Sequence, residues 1–246
     1  ATVNLSDATG TASPQQVTLA GGTWTGAVTI TRSGSGNRLT VSGVGVTSNS
    51  NTFTVNPAAV DHFQIASITS PRTSGTSFPI VLTAQDVYNN TATGFTGNVV
   101  ISDGTGTITP TTSGNFTAGV RNQTVTINRA QSDVTITVND GAGHTGTSNL
   151  FNVVHGSLHH FSIASIADQA TGLPFAITVT AQDGQNNTVT AFDGAASTVN
   201  IAHSGGGSIS PTVSGAFMNG VWVGNVTIPL TQTNDRITVT RTGGTE

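Results

Sequence analysis

Phe78 Pro79 Ile80 Val81 Leu82 Thr83 Ala84 Gln85 Asp86 Val87 Tyr88 Asn89 Asn90 returns, slightly altered, as Phe175 Ala176 Ile177 Thr178 Val179 Thr180 Ala181 Gln182 Asp183 Gly184 Gln185 Asn186 Asn187. In the first copy Phe78, Ile80, Leu82 and Ala84 share one face of an extended chain, and Pro79, Val81 and Thr83 share the other. Alternation with a period of two marks a strand with one face in a core. Each run closes on Asp and Asn, residues that hydrogen-bond their own backbone in turns. The offset (175 − 78 = 97 positions) sets a repeating unit of roughly a hundred residues, so any function is expected at the level of that unit.

The repeat extends in both directions from this stretch. Asp61 His62 Phe63 Gln64 Ile65 Ala66 Ser67 Ile68 matches His159 His160 Phe161 Ser162 Ile163 Ala164 Ser165 Ile166, and Phe95 Thr96 Gly97 matches Phe192 Asp193 Gly194. Later, Gly106 Thr107 Ile108 Thr109 Pro110 matches Gly207 Ser208 Ile209 Ser210 Pro211, and Thr124 Val125 Thr126 Ile127 matches Asn225 Val226 Thr227 Ile228. The N-terminal residues align with the second half of a copy: Ala1 Thr2 Val3 Asn4 Leu5 with Ser197 Thr198 Val199 Asn200 Ile201, and Asn51 Thr52 Phe53 Thr54 Val55 with Asn149 Leu150 Phe151 Asn152 Val153. This divides the chain into residues 1–59, the C-terminal half of a repeat; 60–157, a complete repeat; and 158–246, a repeat lacking its last strand. A window on a longer array is expected, with completion of residues 1–59 by the same chain or by a neighbour as the two alternatives.

About seven strand-like runs per unit, separated by Gly, Asn, Asp and Ser, suit an all-β fold of tandem antiparallel β-sandwich domains. A parallel β-helix would need self-similarity at some twenty residues, and none is found. The ordered motifs His-Phe, Phe-x-Ile-x-Val/Leu-Thr-Ala-Gln-Asp, Asn-Asn, Phe-x-Gly, Gly-x-Ile-x-Pro and Val-Thr-Ile resemble the bacterial immunoglobulin-like tandem repeats of large cell-surface proteins, such as invasin-like adhesins and S-layer or surface-fibre proteins. The resemblance covers nearly the whole chain and implies immunoglobulin-like sandwiches in an extracellular, cell-surface setting. Its motifs are those of packing and turns, so it implies fold better than function. The absence of lysine excludes the Lys-Asn isopeptide crosslinks of some bacterial surface fibres, so mechanical strength would come from β-ladders.

Composition narrows the function classes. Only 7% of the 246 residues are charged, far below the roughly 25% usual for soluble domains, so the surface is one of hydroxyls and amides. The net charge is −4 and every basic residue is an arginine, without a cluster, which removes the electrostatic footprint of a nucleic-acid binder. No apolar run approaches the length of a spanning helix, so no membrane insertion is expected of this segment. Cysteine is absent, which excludes disulfides, thiolate metal sites and cysteine nucleophiles.

Candidate sites are few. Asp86, Asn89 and Asn90, with Asp183, Asn186 and Asn187, could offer hard oxygen ligands to calcium, although the same residues make ordinary turns. His155, His159 and His160 cluster near a junction and are zinc-competent, but His62 and His160 each precede an equivalent Phe, which favours packing or capping. Trp24 and Trp222 occupy equivalent positions and could stack on a sugar, or simply cover the core. No catalytic or cofactor motif is visible; the 11 acidic residues are enough for a carboxylate pair, but they are scattered over the copies and would have to be assembled from loops that the repetition makes nearly alike, so no enzyme and no cofactor are expected. The expected partners are neighbouring copies of the same protein, with surface glycans the alternative. Of the two junctions, Asn56 Pro57 Ala58 Ala59 Val60 and Val154 His155 Gly156 Ser157 Leu158, the one with Pro57 is expected to be the stiffer.

Overall fold

The computed structural model describes residues 1–43 and 45–246, and among them there is no helix. The all-β class is that expected, and so is the sandwich arrangement, in which strands of separate sheets pack into a common core. The hydrophobic core falls into three clusters, spanning Val3 to Leu39, Val60 to Val153 and Leu158 to Val239.

The middle cluster is the most complete. One sheet runs in the order Val120–Val125, Phe78–Gln85, His62–Ile65, and the facing sheet in the order Val100–Asp103, Ile136–Asn139, Thr145–Thr147. Phe78–Gln85 is the central strand of its sheet, pairing antiparallel with both neighbours. Its even face, Phe78, Ile80, Leu82 and Ala84, is buried, while Pro79 and Val81 are exposed. Strand alternation therefore decides which half of the sequence reaches the core. From the opposite sheet Ile101, Ile136 and Val138 pack into the same cluster, and Phe63, Phe95 and Phe116 form an aromatic trio with centroids 5.0–5.7 Å apart, Phe95 edge-to-face with both others and Phe63 tilted against Phe116. The counterpart trio is Phe161, Phe192 and Phe217. One pairing departs from the antiparallel expectation: Phe151–Val154 runs parallel to Arg72–Thr73 while pairing antiparallel with Gln131–Val134.

The third cluster repeats this plan with one side open. Phe175, Ile228 and Ile237 are half-buried, whereas their counterparts Phe78, Ile127 and Ile136 are buried. In the middle unit the strand Phe151–Val154 covers that side with Phe151 and Val153, and no described residue takes that place in the third. The first cluster is smaller still. Val3, Leu5 and Val17 are buried on one four-stranded sheet, with Trp24, Val28 and Leu39 half-buried against them.

All three units share a two-residue hairpin turn. Gly21 and Gly22 (φ 59° and 85°), Ala118 and Gly119 (49° and 78°), and Asn219 and Gly220 (49° and 81°) lie between the bridged pairs Ala20 and Thr23, Thr117 and Val120, and Met218 and Val221. Two consecutive positive φ angles define the turn whose twist suits a hairpin, with Asn-Gly the favoured pair. Alanine is the misfit, because its Cβ crowds the carbonyl in the left-handed region. Ala118→Asn is therefore expected to stabilise the middle unit by about 0.5–1 kcal/mol, read as a raised denaturation midpoint with an unchanged m-value.

Candidate junction site

The Asp that directly follows each duplicated strand is fully buried: Asp86 and Asp183 are both 0% exposed. Neither has a cationic partner among the described residues: Asp86 is surrounded by N–H donors, and Asp183 by N–H donors and one O–H. Asp86 accepts from the Tyr88 and Asn90 amides at 2.9 Å, from Asn90 Nδ2 at 2.9 and 3.1 Å, and from the Ala58 amide at 2.9 Å. Asp183 accepts from the Gln185 and Asn187 amides at 2.9 and 2.8 Å, from Asn187 Nδ2 at 3.0 and 3.2 Å, from the Gly156 amide at 2.7 Å, and from Ser74 Oγ at 2.7 Å. Burial alone would push either carboxyl upward, but the donors favour the ionised form more strongly: they lower Asp86 and hold Asp183 well below the usual carboxylate range. These oxygens are thus occupied by amide and hydroxyl hydrogens, the opposite polarity from a cation's coordination shell.

Asn89 and Asn186 contribute through their backbone. Both have φ 64°, a left-handed conformation that Asn tolerates, and their carbonyls accept from Gln85 Nε2 and Gln182 Nε2 at 3.3 and 3.1 Å. Their side chains are not drawn to the Asp. The next residues, Asn90 and Asn187, supply the amides that reach it. Among the described residues no group of three or more His, Asp or Glu is placed to hold a metal ion.

The histidines are separated by role. His62 bridges Asp61 and Gln85 at 3.0 Å each, tying the start of the middle unit to the end of its central strand. His155 Nδ1 donates to the Gly156 carbonyl at 2.8 Å, whereas His159 and His160 face one another with Nδ1 atoms 3.2 Å apart. A further pair, His203 with Asp235, lies 2.7 Å apart in the third unit. Burial pushes the Asp235 carboxyl up, but His203, the Gly205 amide and Ser204 outweigh it and bring it down to about 2.

Trp222 belongs to the core of the third unit, with its ring over Gly224, where a Cβ would lie 2.1 Å from the indole. Trp24 lies over Gly26 in the same way and is half-buried. In the strand Val221–Val226 the Trp-x-Gly spacing places Trp222 and Gly224 on one face, and glycine makes room for the ring. In the middle unit Arg121 and Gln123 take these places, with Arg121 Nε donating to Gln123 Oε1 at 3.3 Å.

No protein-family description matches the sequence, and no curated protein is similar enough to match it. Solved structures do match. The chain is 18% identical to the Escherichia coli adhesin FdeC, covering 89% of this chain and 73% of that one, with a TM-score of 0.40. It is 18% identical to invasin, a bacterial integrin-binding protein, covering 98% of this chain and 49% of that one, with a TM-score of 0.36. It is 20% identical to domains 1–6 of the surface layer protein SbsC, covering 98% of this chain and 29% of that one, with a TM-score of 0.30. The chain is thus similar to bacterial adhesin and surface-layer structures, at identities that speak to fold alone.

Proposed function

We propose that the chain is a structural repeat segment of an extracellular microbial surface protein, a stiff spacer that builds a fibre, lattice or stalk by assembling with copies of itself. The units run 1–59, 60–157 and 158–246, the first a C-terminal half and the third without its last strand. The observation that carries the reading is that both linkers are tied down in the same way. The Ala58 amide donates into Asp86 and the Gly156 amide into Asp183, while the Asp61 and His159 amides donate to the Gln85 and Gln182 carbonyls at 2.8 Å. A linker bonded to the unit that follows it has few free torsions, so successive units are held rather than tethered. The charge-poor surface, 7% charged, offers little repulsion to lateral packing.

An adhesin tip or carbohydrate-binding module is the alternative. Electron microscopy with glycan-array screening separates the two. The expected result is rod-like particles of uniform length that associate end to end or side by side, without glycan signal, and with a melting curve indifferent to chelator. Glycan-specific binding without assembly would overturn the spacer reading.

A further inference from the structure

The asparagine that braces each buried Asp also reaches out of its own unit. Asn90 Nδ2 donates to the Thr31 carbonyl at 2.7 Å, and Asn90 Oδ1 accepts from the Ser33 amide at 2.9 Å. At the second junction Asn187 Nδ2 donates to the Asn128 carbonyl at 2.8 Å, and Asn187 Oδ1 accepts from the Ala130 amide at 2.8 Å. Thr31–Ser33 and Asn128–Ala130 are the same loop of two successive units, directly after Ile30 and Ile127. The contact is made twice, by equivalent residues, with equivalent atoms.

The chemistry fixes the direction of the amide. Its NH₂ group must face the Asp carboxylate, because a reversed amide would set oxygen against oxygen. The carboxylate thereby aims the remaining N–H and the carbonyl oxygen at the preceding unit, where they meet a backbone C=O and an N–H two residues apart. That is the pattern a neighbouring strand would offer. Because only backbone is engaged, the intervening residues are free to point outward, and Arg32 and Arg129 are exposed.

We propose that the Asp-x-x-x-Asn turn is a latch that sets the orientation of each unit on the one before it, with Asn90 and Asn187 as the pins and Asp86 and Asp183 as positioning residues. The proposal rests on the spacer reading and names what makes the spacer stiff: a side-chain amide bound to the preceding unit's backbone, rather than the linker sequence or a bridging cation. The second junction carries more contacts. Ser74 Oγ, from the middle unit, also donates to Asp183, and Gly75 lies so close to Gln185 that a Cβ would sit 2.4 Å from its amide carbon. The Gly75 site has φ 70°, so the close approach and the backbone conformation both select glycine.

The chain has no cysteine, so a pair of introduced thiols carries spin labels without interference. Val100→Cys and Val223→Cys place the labels on exposed strand positions of the middle and third units. Pulsed dipolar spectroscopy should give one narrow distance. Asn187→Ala should replace it with a broad distribution, whereas Asn90→Ala, at the other junction, should leave it narrow. Ala130→Pro removes the N–H donor from the preceding loop while leaving the Asp183 turn whole, and should broaden the distance with Trp222 fluorescence unchanged. A distance that stays narrow in both Asn187→Ala and Ala130→Pro overturns the latch and leaves the spacer reading standing. A broad distance in the unsubstituted chain overturns both.

Discussion

Gly220→Ala is expected to destabilise the third unit by about 3–5 kcal/mol, whereas Gly22→Ala, at the equivalent place in the first unit, should cost only about 1–2 kcal/mol. Both glycines have a positive φ, 81° and 85°, so both substitutions incur the left-handed strain of an L-residue. Only Gly220 has a neighbour. A Cβ there would lie 2.6 Å from the Val189 carbonyl oxygen, while one on Gly22 meets nothing within 4 Å. Relaxation is blocked because every group involved is already bonded: the Val189 carbonyl by the Phe192 amide at 3.0 Å, the Gly220 amide by the Phe192 carbonyl at 3.1 Å, and the Gly220 carbonyl by the Ala181 amide at 2.8 Å. Urea titration followed by Trp222 fluorescence in a Trp24→Phe background reports the third unit, and hydrogen exchange reports the first. Equal costs at the two positions would show that the backbone approach is not what selects Gly220. Gly119, 2.7 Å from the Ala92 carbonyl oxygen by the same construction, should behave like Gly220.

That contrast also shows what could be read from residues alone. The alternation of Phe78, Ile80, Leu82 and Ala84 was legible because burial on one face of a strand leaves a mark at every second position, and the structure buries those four. The hairpin turn was illegible because its three versions, Gly-Gly, Ala-Gly and Asn-Gly, share only the second glycine. The parallel pairing of Phe151–Val154 with Arg72–Thr73 joins residues about eighty positions apart through backbone groups, which have no side-chain signature. At the junction, sequence pointed to the right turn and to the wrong atoms. Both asparagines recur in both copies, yet composition does not distinguish Asn89, needed for its left-handed backbone, from Asn90, needed for its side chain. The partner of Asn90 was invisible for a further reason: Thr31–Ser33 and Asn128–Ala130 have no residue type in common at the bonded positions, because the contact reads backbone. Pro57 drew attention to the first linker through its own stiffness, but the denser set of cross-unit contacts lies at the second, through Ser74 and Gly75.

Asp183→Ala should be the most damaging change at the junction, on the order of 3–5 kcal/mol, because it strands three backbone amides, Gly156, Gln185 and Asn187, each worth about 1–3 kcal/mol when buried without an acceptor. Asp183→Asn keeps the shape and one acceptor oxygen but turns an NH₂ group toward donors, so it should cost less and still loosen the junction. The two variants also separate structure from charge. In the folded chain the Asp183 carboxyl is held well below its unfolded value, so the native state resists a proton that the unfolded chain accepts. The stabilisation is therefore complete above about pH 5, where the unfolded carboxyl is almost fully ionised, and is lost as the pH falls through about 4 toward the folded value, at up to about 1.4 kcal/mol per pH unit for each such group. Asp7, Asp86, Asp140 and Asp235 are lowered in the same direction, so their losses add to it, and the chain should unfold steeply in acid while remaining flat from neutral pH to about pH 5. Asp183→Asn, which has no proton to gain at this position, should flatten the acid limb of the stability curve by about one proton. If denaturant titrations at pH 3 and pH 7 give the same difference between Asp183→Asn and the unsubstituted chain, the ionised carboxylate contributes nothing beyond its shape, and the amide donors around it would have to be satisfied by either form alike.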